Sequence, residues 1–224
     1  MINNEDLAYL KEQLGFWDKL SQKEKQLLVS NVYSINYKKG ENLHGRDKDC
    51  VGHILVKSGE LRVYILSEEG RDITLYRLTP GETCVLSASC VMNYISFDVL
   101  IDAEQDTEVL LLNIGAFGML KEGNIHVENY AYKVAADRFS DIMWAMEQIL
   151  FASFDKRLAV FLYDESARNK SNKINLTHEQ IAKYVGSARE VVSRTLKNFE
   201  SQGILKLSRG NLNIINKEKL RELI

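Results

Sequence analysis

Residues 176–199 read LTHEQIAKYVGSAREVVSRTLKNF, and their spacing predicts two short amphipathic helices joined at Gly186. Thr177 and Gln180 stand three apart, as the partners of a capping box do, so the first helix is expected to open there with Ile181, Ala182 and Val185 facing inward. Gly186 can end it because glycine tolerates a left-handed backbone. Ser187 and Glu190 repeat the capping-box spacing and predict the start of the second helix. In that helix Val192, Leu196 and Phe199 recur at steps of four and three, a buried stripe that leaves Arg189, Glu190, Ser193, Arg194 and Lys197 on the other face.

A helix of this diameter fits the major groove of DNA, where arginine bonds guanine O6 and N7 together and a carboxylate accepts from the cytosine amino group. The layout is that of a helix-turn-helix, and Arg189, Glu190 and Arg194 are the right chemical types to read bases. The alternative is a solvated basic face on which Glu190 only caps Ser187. After Gly203 the chain reads ILKLSRGNLNII, which predicts a β-hairpin turning at Arg209-Gly210-Asn211, the wing of a winged helix. Lys206 and Arg209 on it are either phosphate contacts or ordinary surface cations.

Charge is distributed in keeping with this. Residues 155–224 hold 14 Lys+Arg against 8 Asp+Glu, or +6, while the other 154 residues hold 15 against 23, or −8. Such asymmetry is expected when one domain meets a polyanion and another does not, and the overall net charge of −2 hides it.

The 224 residues, 45% hydrophobic, suffice for two domains, with no low-complexity tract. The N-terminus, MINNEDLAYL, is acidic, and no apolar run approaches the roughly 18 residues that span a bilayer, so a cytoplasmic protein without a membrane partner is expected. Cys50, Cys84 and Cys90 match no zinc spacing, and their odd number argues against a secreted disulfide scaffold. Histidines 44, 53, 126 and 178 form no HxH or HExxH pattern. Neither a nucleophile elbow nor a phosphate loop is present, so no metal site, no catalytic residue and no enzyme is predicted.

Helical patterns cover Asn4 to Gly15 and Ser21 to Ser34, the second with a cap at Ser21 and Glu24. From about Ile35 to Ile114 the runs HILVKSG, ELRVYIL, ITLYRL, SFDVLI and TEVLLLN alternate with turn glycines at roughly ten-residue spacing, which predicts an antiparallel barrel or roll. A long helix follows, about Glu122 to Leu150. In it Tyr132, Ala135, Phe139, Ile142, Met146 and Ile149 repeat every 3.5 residues, the signature of a coiled-coil seam. The stripe could instead pack on its own barrel. DNA reading favours a homodimer, because recognition helices about 34 Å apart address half-sites one turn apart.

The order β-roll, long helix, winged helix-turn-helix resembles the Crp/Fnr superfamily over nearly the whole chain. Arg189-Glu190-Val191-Val192-Ser193-Arg194 matches that family's Arg-Glu-x-x-Ser-Arg at every specified position. The resemblance implies an α+β fold: a jelly-roll-like sensor domain (1–121), a dimerisation helix (122–150) and a DNA-binding domain (151–224). It implies a transcriptional regulator on a pseudo-palindromic operator, with Glu190 and Arg194 reading base edges, Arg189 a base or a phosphate, Thr177 and His178 near the backbone, and RNA polymerase as a further partner.

Gly81-Glu82 stands where cyclic-nucleotide binders of the family place a glycine and a glutamate for the ribose and phosphate. Those binders then supply an arginine for the phosphate. Cys84 to Ala103 contains no arginine or lysine, and a buried phosphate lacking a cation is costly, so cyclic AMP is not the expected effector. The expected pocket comprises Gly81, Glu82, Cys84, Val85, Leu86, Ser87, Cys90 and Met92. It would suit a small uncharged ligand, a haem or a thiol redox switch. An iron–sulfur cluster is not expected, because no cysteine precedes Cys50. The competing readings are a redox- or haem-dependent regulator of the same architecture, a winged helix that binds protein, a regulator without a ligand, and a cupin-like metal barrel, which would need clustered histidines.

Overall fold

In β3 (His53–Ser58), Ile54 and Val56 point to one face and Leu55 to the other, and both faces are covered. That arrangement organises the first of two compact units, Met1–Leu66 with Leu75–Ile142; the second is Ser67–Thr74 with Met143–Ile224. The computed structural model describes residues 2–44, 52–68, 70, 72–84 and 99–224.

The first unit begins with α1 (Asn4–Gln13) and α2 (Gln22–Ser30), followed by β1 (Val32–Tyr37), β2 (Asn42–His44), β3, β4 (Leu61–Leu66), β5 (Asp72–Leu78, whose first three residues are counted with the second unit), β6 (Thr83–Cys84), β7 (Leu100–Ala103) and β8 (Thr107–Leu112). Among the described residues the strands form two four-stranded sheets, ordered β1-β8-β3-β6 and β2-β7-β4-β5. Between them lie Leu43, Ile54, Val56, Leu61, Val63, Leu78, Ile101 and Val109, the filling of a roll. The outward face of the first sheet, Leu55, Leu110 and Leu112, packs on Leu10, Leu28, Phe117 and Val127. Because β8 is covered on both sides, TEVLLL reads as a nearly continuous apolar run.

Ser21 and Glu24 form the expected capping box, with Glu24 Oε2 accepting from the Ser21 amide at 2.7 Å. The helix after it ends earlier than its pattern predicts, at Ser30 and not Ser34. Val32, Tyr33, Ser34 and Ile35 are instead strand, in register with Leu112, Leu111, Leu110 and Val109. Long-range pairing outweighs a local helical pattern that β-branched residues had already weakened. His53 sits in the core, stacked on Phe117 at 5.0 Å, and burial pushes its pKa down to about 4, so it is a neutral packing group.

The expected start of the long helix near Glu122 is also corrected. Glu122 and Gly123 close α3 (Ile114–Gly123), and α4 (Ile125–Phe151) is a separate helix. Asn124 is extended between them, and its Oδ1 accepts from the His126 amide at 3.0 Å, the side-chain bond that opens a new helix.

The second unit continues with α5 (Phe154–Arg168), β9 (Lys173–Ile174), α6 (His178–Val185), α7 (Arg189–Ser201), β10 (Leu205–Ser208), β11 (Asn211–Ile214) and α8 (Lys217–Arg221). Its sheet runs β10-β11-β9, all antiparallel. Leu158, Leu162, Ile181, Val185, Val192, Leu196, Phe199, Leu205, Leu212 and Leu220 make one core.

Candidate nucleic-acid interface

The capping box at Thr177 forms as its spacing predicts. Thr177 Oγ1 accepts from the Gln180 amide at 3.2 Å, and Gln180 Oε1 accepts from the Thr177 amide at 2.9 Å. α6 then buries Ile181, Ala182 and Val185. Gly186 follows at φ +61°, where a side chain would be strained, although a Cβ there would meet Ile149 only at an ordinary 3.7 Å. Gly186→Ala is therefore expected to fold with stability lowered by about 1–2 kcal/mol, from backbone conformation and not from a clash. Urea denaturation measures it; an unchanged midpoint would contradict the turn assignment.

The second capping box does not form. α7 has Ala188 as its N-cap with no side-chain bond to the helix, so Ser187 lies outside the helix and Glu190 is its second residue instead of its third. At that position the Glu190 side chain is exposed and is not engaged with Ser187 in a box, which removes the capping alternative for it.

α7 buries Val192, Thr195, Leu196 and Phe199 against the core of its unit. Its other side presents Arg189, Glu190, Arg194 and Lys197 exposed, with Ser193 partly covered. The hairpin is as expected: Leu205↔Ile214 through Ser208↔Asn211 pair, leaving Arg209-Gly210 as a two-residue turn with Gly210 at φ +78°. Arg209 and Lys206 are exposed.

Structure adds what spacing could not. Thr177, His178 and Arg189 line one groove with Ser208, Arg209 and Asn211, so the opening of α6, the opening of α7 and the wing tip form one surface. Spacing alone does not place Ser208 and Asn211 there, because only the fold brings the wing beside α6. Partial burial, then the positive charges of Arg189 and Lys197, hold the His178 imidazole below its ordinary range.

In the first unit, Gly81 and Glu82 adjoin β6. Glu82 Oε2 accepts from the Thr79 amide (2.8 Å) and hydroxyl (2.9 Å), while Oε1 faces Arg138 Nη2 at 3.5 Å. Arg138 also pairs with Asp141 at 2.9 Å and stacks on Tyr76, whose hydroxyl is 3.7 Å from Cys84 Sγ. Cys84 is fully buried. Residues 84–103 hold no cation, but Arg138 enters from α4, where two carboxylates already oppose its charge. Val85, Leu86, Ser87, Cys90 and Met92 lie outside the described residues, as does Cys50.

Along α4, Tyr132, Phe139, Met143, Met146 and Leu150 are exposed at steps of seven, four, three and four, with Phe139 at 64% and Leu150 at 65%. Ala135 is half-buried beside them. Ile142 and Ile149 are half-buried within the chain, Ile142 against the roll's core, and Met143 and Leu150 hold the matching exposed places. The apolar strip is thus a quarter turn from where the sequence spacing alone puts its later residues.

Among the described residues no grouping of His, Cys, Asp or Glu could hold a metal, and no helix is long and apolar enough to cross a membrane.

Residues 156–223 match the Crp-like helix-turn-helix domain. The crystal structure of a Crp/Fnr-family protein from Eubacterium rectale is 43% identical, covers 95% of this chain and 98% of that one, and superposes with a TM-score of 0.91. The anaerobic regulatory protein of Aggregatibacter actinomycetemcomitans is 24% identical over 95% of this chain and 80% of its own. The cyclic AMP receptor protein of Thermus thermophilus is 22% identical, covering 91% and 94%. Two relatives named for different signals are thus about equally distant, and likeness does not choose the signal.

Proposed function

The chain belongs to the Crp/Fnr family, and from that premise we propose that it binds a two-fold operator as a homodimer, with a signal sensed in the roll setting how well it binds. It is a DNA-binding regulator and not an enzyme. The observation that carries the reading is the exposed Arg189, Glu190, Arg194 and Lys197 face on α7, held over a buried Val192, Leu196, Phe199 stripe beside a basic wing. Glu190 and Arg194 read base edges, and Lys197, Arg209, Thr177 and His178 meet the backbone.

The apolar strip of α4 supports pairing with a second copy, because large side chains exposed at heptad spacing are what a two-stranded coiled coil buries. The test is duplex affinity against salt. A steep linear fall of log K with log salt is expected, with a slope close to −0.9 per phosphate neutralised. A shallow slope would favour a winged helix that binds protein.

The signal acts near Gly81, Glu82 and Cys84, where the roll meets Arg138 of α4. A ligand preferring one of two states would shift the population between them, and a coupling of about 1–3 kcal/mol changes operator affinity roughly 5- to 150-fold. Arg138 already faces Glu82 and Asp141, so an added phosphate would compete with two carboxylates for it. Excess cyclic AMP is accordingly expected to leave the melting temperature unchanged. A large upward shift would overturn this, since tight binding must stabilise the native state.

A further inference from the structure

His178 shares a groove of about 510 Å³ with two arginines and a hydroxyl, Arg189, Arg209 and Ser208. We propose that this groove takes a phosphate of the DNA backbone and that His178 binds it in the protonated form, so that duplex binding takes up a proton. The proposal rests on the DNA-binding reading and adds a proton to it.

The chemistry of the lining carries the argument. Guanidinium and hydroxyl groups are donors suited to phosphate oxygens, and they come from α7 and the wing, which only the fold brings beside His178 of α6. A neutral imidazole offers one N–H, a protonated one offers two and a positive charge. The charges that act on the ring are those of Arg189 and Lys197 of α7, and Arg209 of the wing turn and Glu179 of α6 also line the groove. In the free protein partial burial, then Arg189 and Lys197, lowers the affinity of the ring for a proton and so favours its neutral form. A phosphate in the groove offsets those cations and adds a negative charge, which raises the affinity of the ring for a proton.

The sign follows by linkage. Binding raises the pKa of His178 from its depressed free value, so the added affinity is fully present below the free value and disappears as pH rises through the bound value. Between the two, affinity falls at most about tenfold per pH unit for each histidine. A lysine or arginine at this place would hold the phosphate at every physiological pH. Histidine makes the contact conditional.

Because the contact is to backbone, a random-sequence duplex serves as probe. Fluorescence anisotropy of the full chain at constant ionic strength is expected to show affinity falling about 5- to 50-fold from about pH 6 to about pH 8. His178→Gln should flatten the profile at the weak end, and His178→Arg should flatten it with tight binding throughout. Calorimetry in two buffers of different ionisation enthalpy reads the proton uptake directly on the unmodified chain. Binding that is indifferent to pH, or a profile that His178→Gln leaves intact, would overturn the inference and spare the DNA-binding reading. Failure to bind duplex at any pH would remove both.

Discussion

If the proposed homodimer pairs through α4, replacing Phe139 and Leu150 together by glutamate is expected to give monomers and to weaken operator binding by about 10²- to 10⁴-fold. Both side chains are mostly exposed on α4, so the substitutions disturb little within one chain. Across a two-fold seam each glutamate would face its twin or an apolar neighbour, and burying an unpaired carboxylate costs several kcal/mol. Loss of the seam separates the two reading heads, so the second half-site no longer benefits from the first and the effective-concentration gain is lost. Sedimentation measures the assembly state, and anisotropy on the operator measures the affinity. Asp137→Ser, on the exposed polar side of the same helix, is expected to leave both unchanged. A double variant that stays dimeric would show that α4 pairs through another face or not at all.

The second large effect concerns discrimination. Arg194→Ala should cost about 1–3 kcal/mol at one base pair of each half-site, roughly 5- to 150-fold, because a bidentate contact to guanine distinguishes it from every other base. Lys197→Ala should weaken binding evenly across sequences and lower the salt slope by about one per protomer, as a phosphate contact does. The two residues lie on the same exposed face of α7 and carry the same charge, so charge alone predicts equal behaviour. Competition between operator and random duplex separates them. Equal losses on both for Arg194→Ala would refute its role as a reader.

Helix positions were most legible where a cap and a stripe agreed. Thr177-Gln180, Gly186 and the Val192, Leu196, Phe199 stripe fall where their spacing puts them, because the interactions involved are local. Ser187 and Glu190 misled for an instructive reason: the same residues at the same spacing need the chain to enter the helix at Ser187, and it enters at Ala188. The first half of β1 carries a helical pattern locally, and its strand partner β8 lies about 75 residues away in sequence.

The site was less legible than the fold. The exposed face of α7 could be read from periodicity, but its neighbours could not, since Ser208 and Asn211 join the groove only through the β10–β11 hairpin. Arg138 escaped notice because it reaches Glu82 from 56 residues away. The α4 strip shows the limit of a repeat: period 3.5 names two adjacent stripes on one helix, and only packing decides which is covered, Ile142 against the roll or Met143 in solvent.

Selection of duplexes from a random pool by the purified chain tests the doubled reading head most directly. The account predicts enrichment of sequences with two inverted half-sites whose centres lie about one helical turn, roughly 10 base pairs, apart. Enrichment of a single undivided site, or none at low salt, would contradict it.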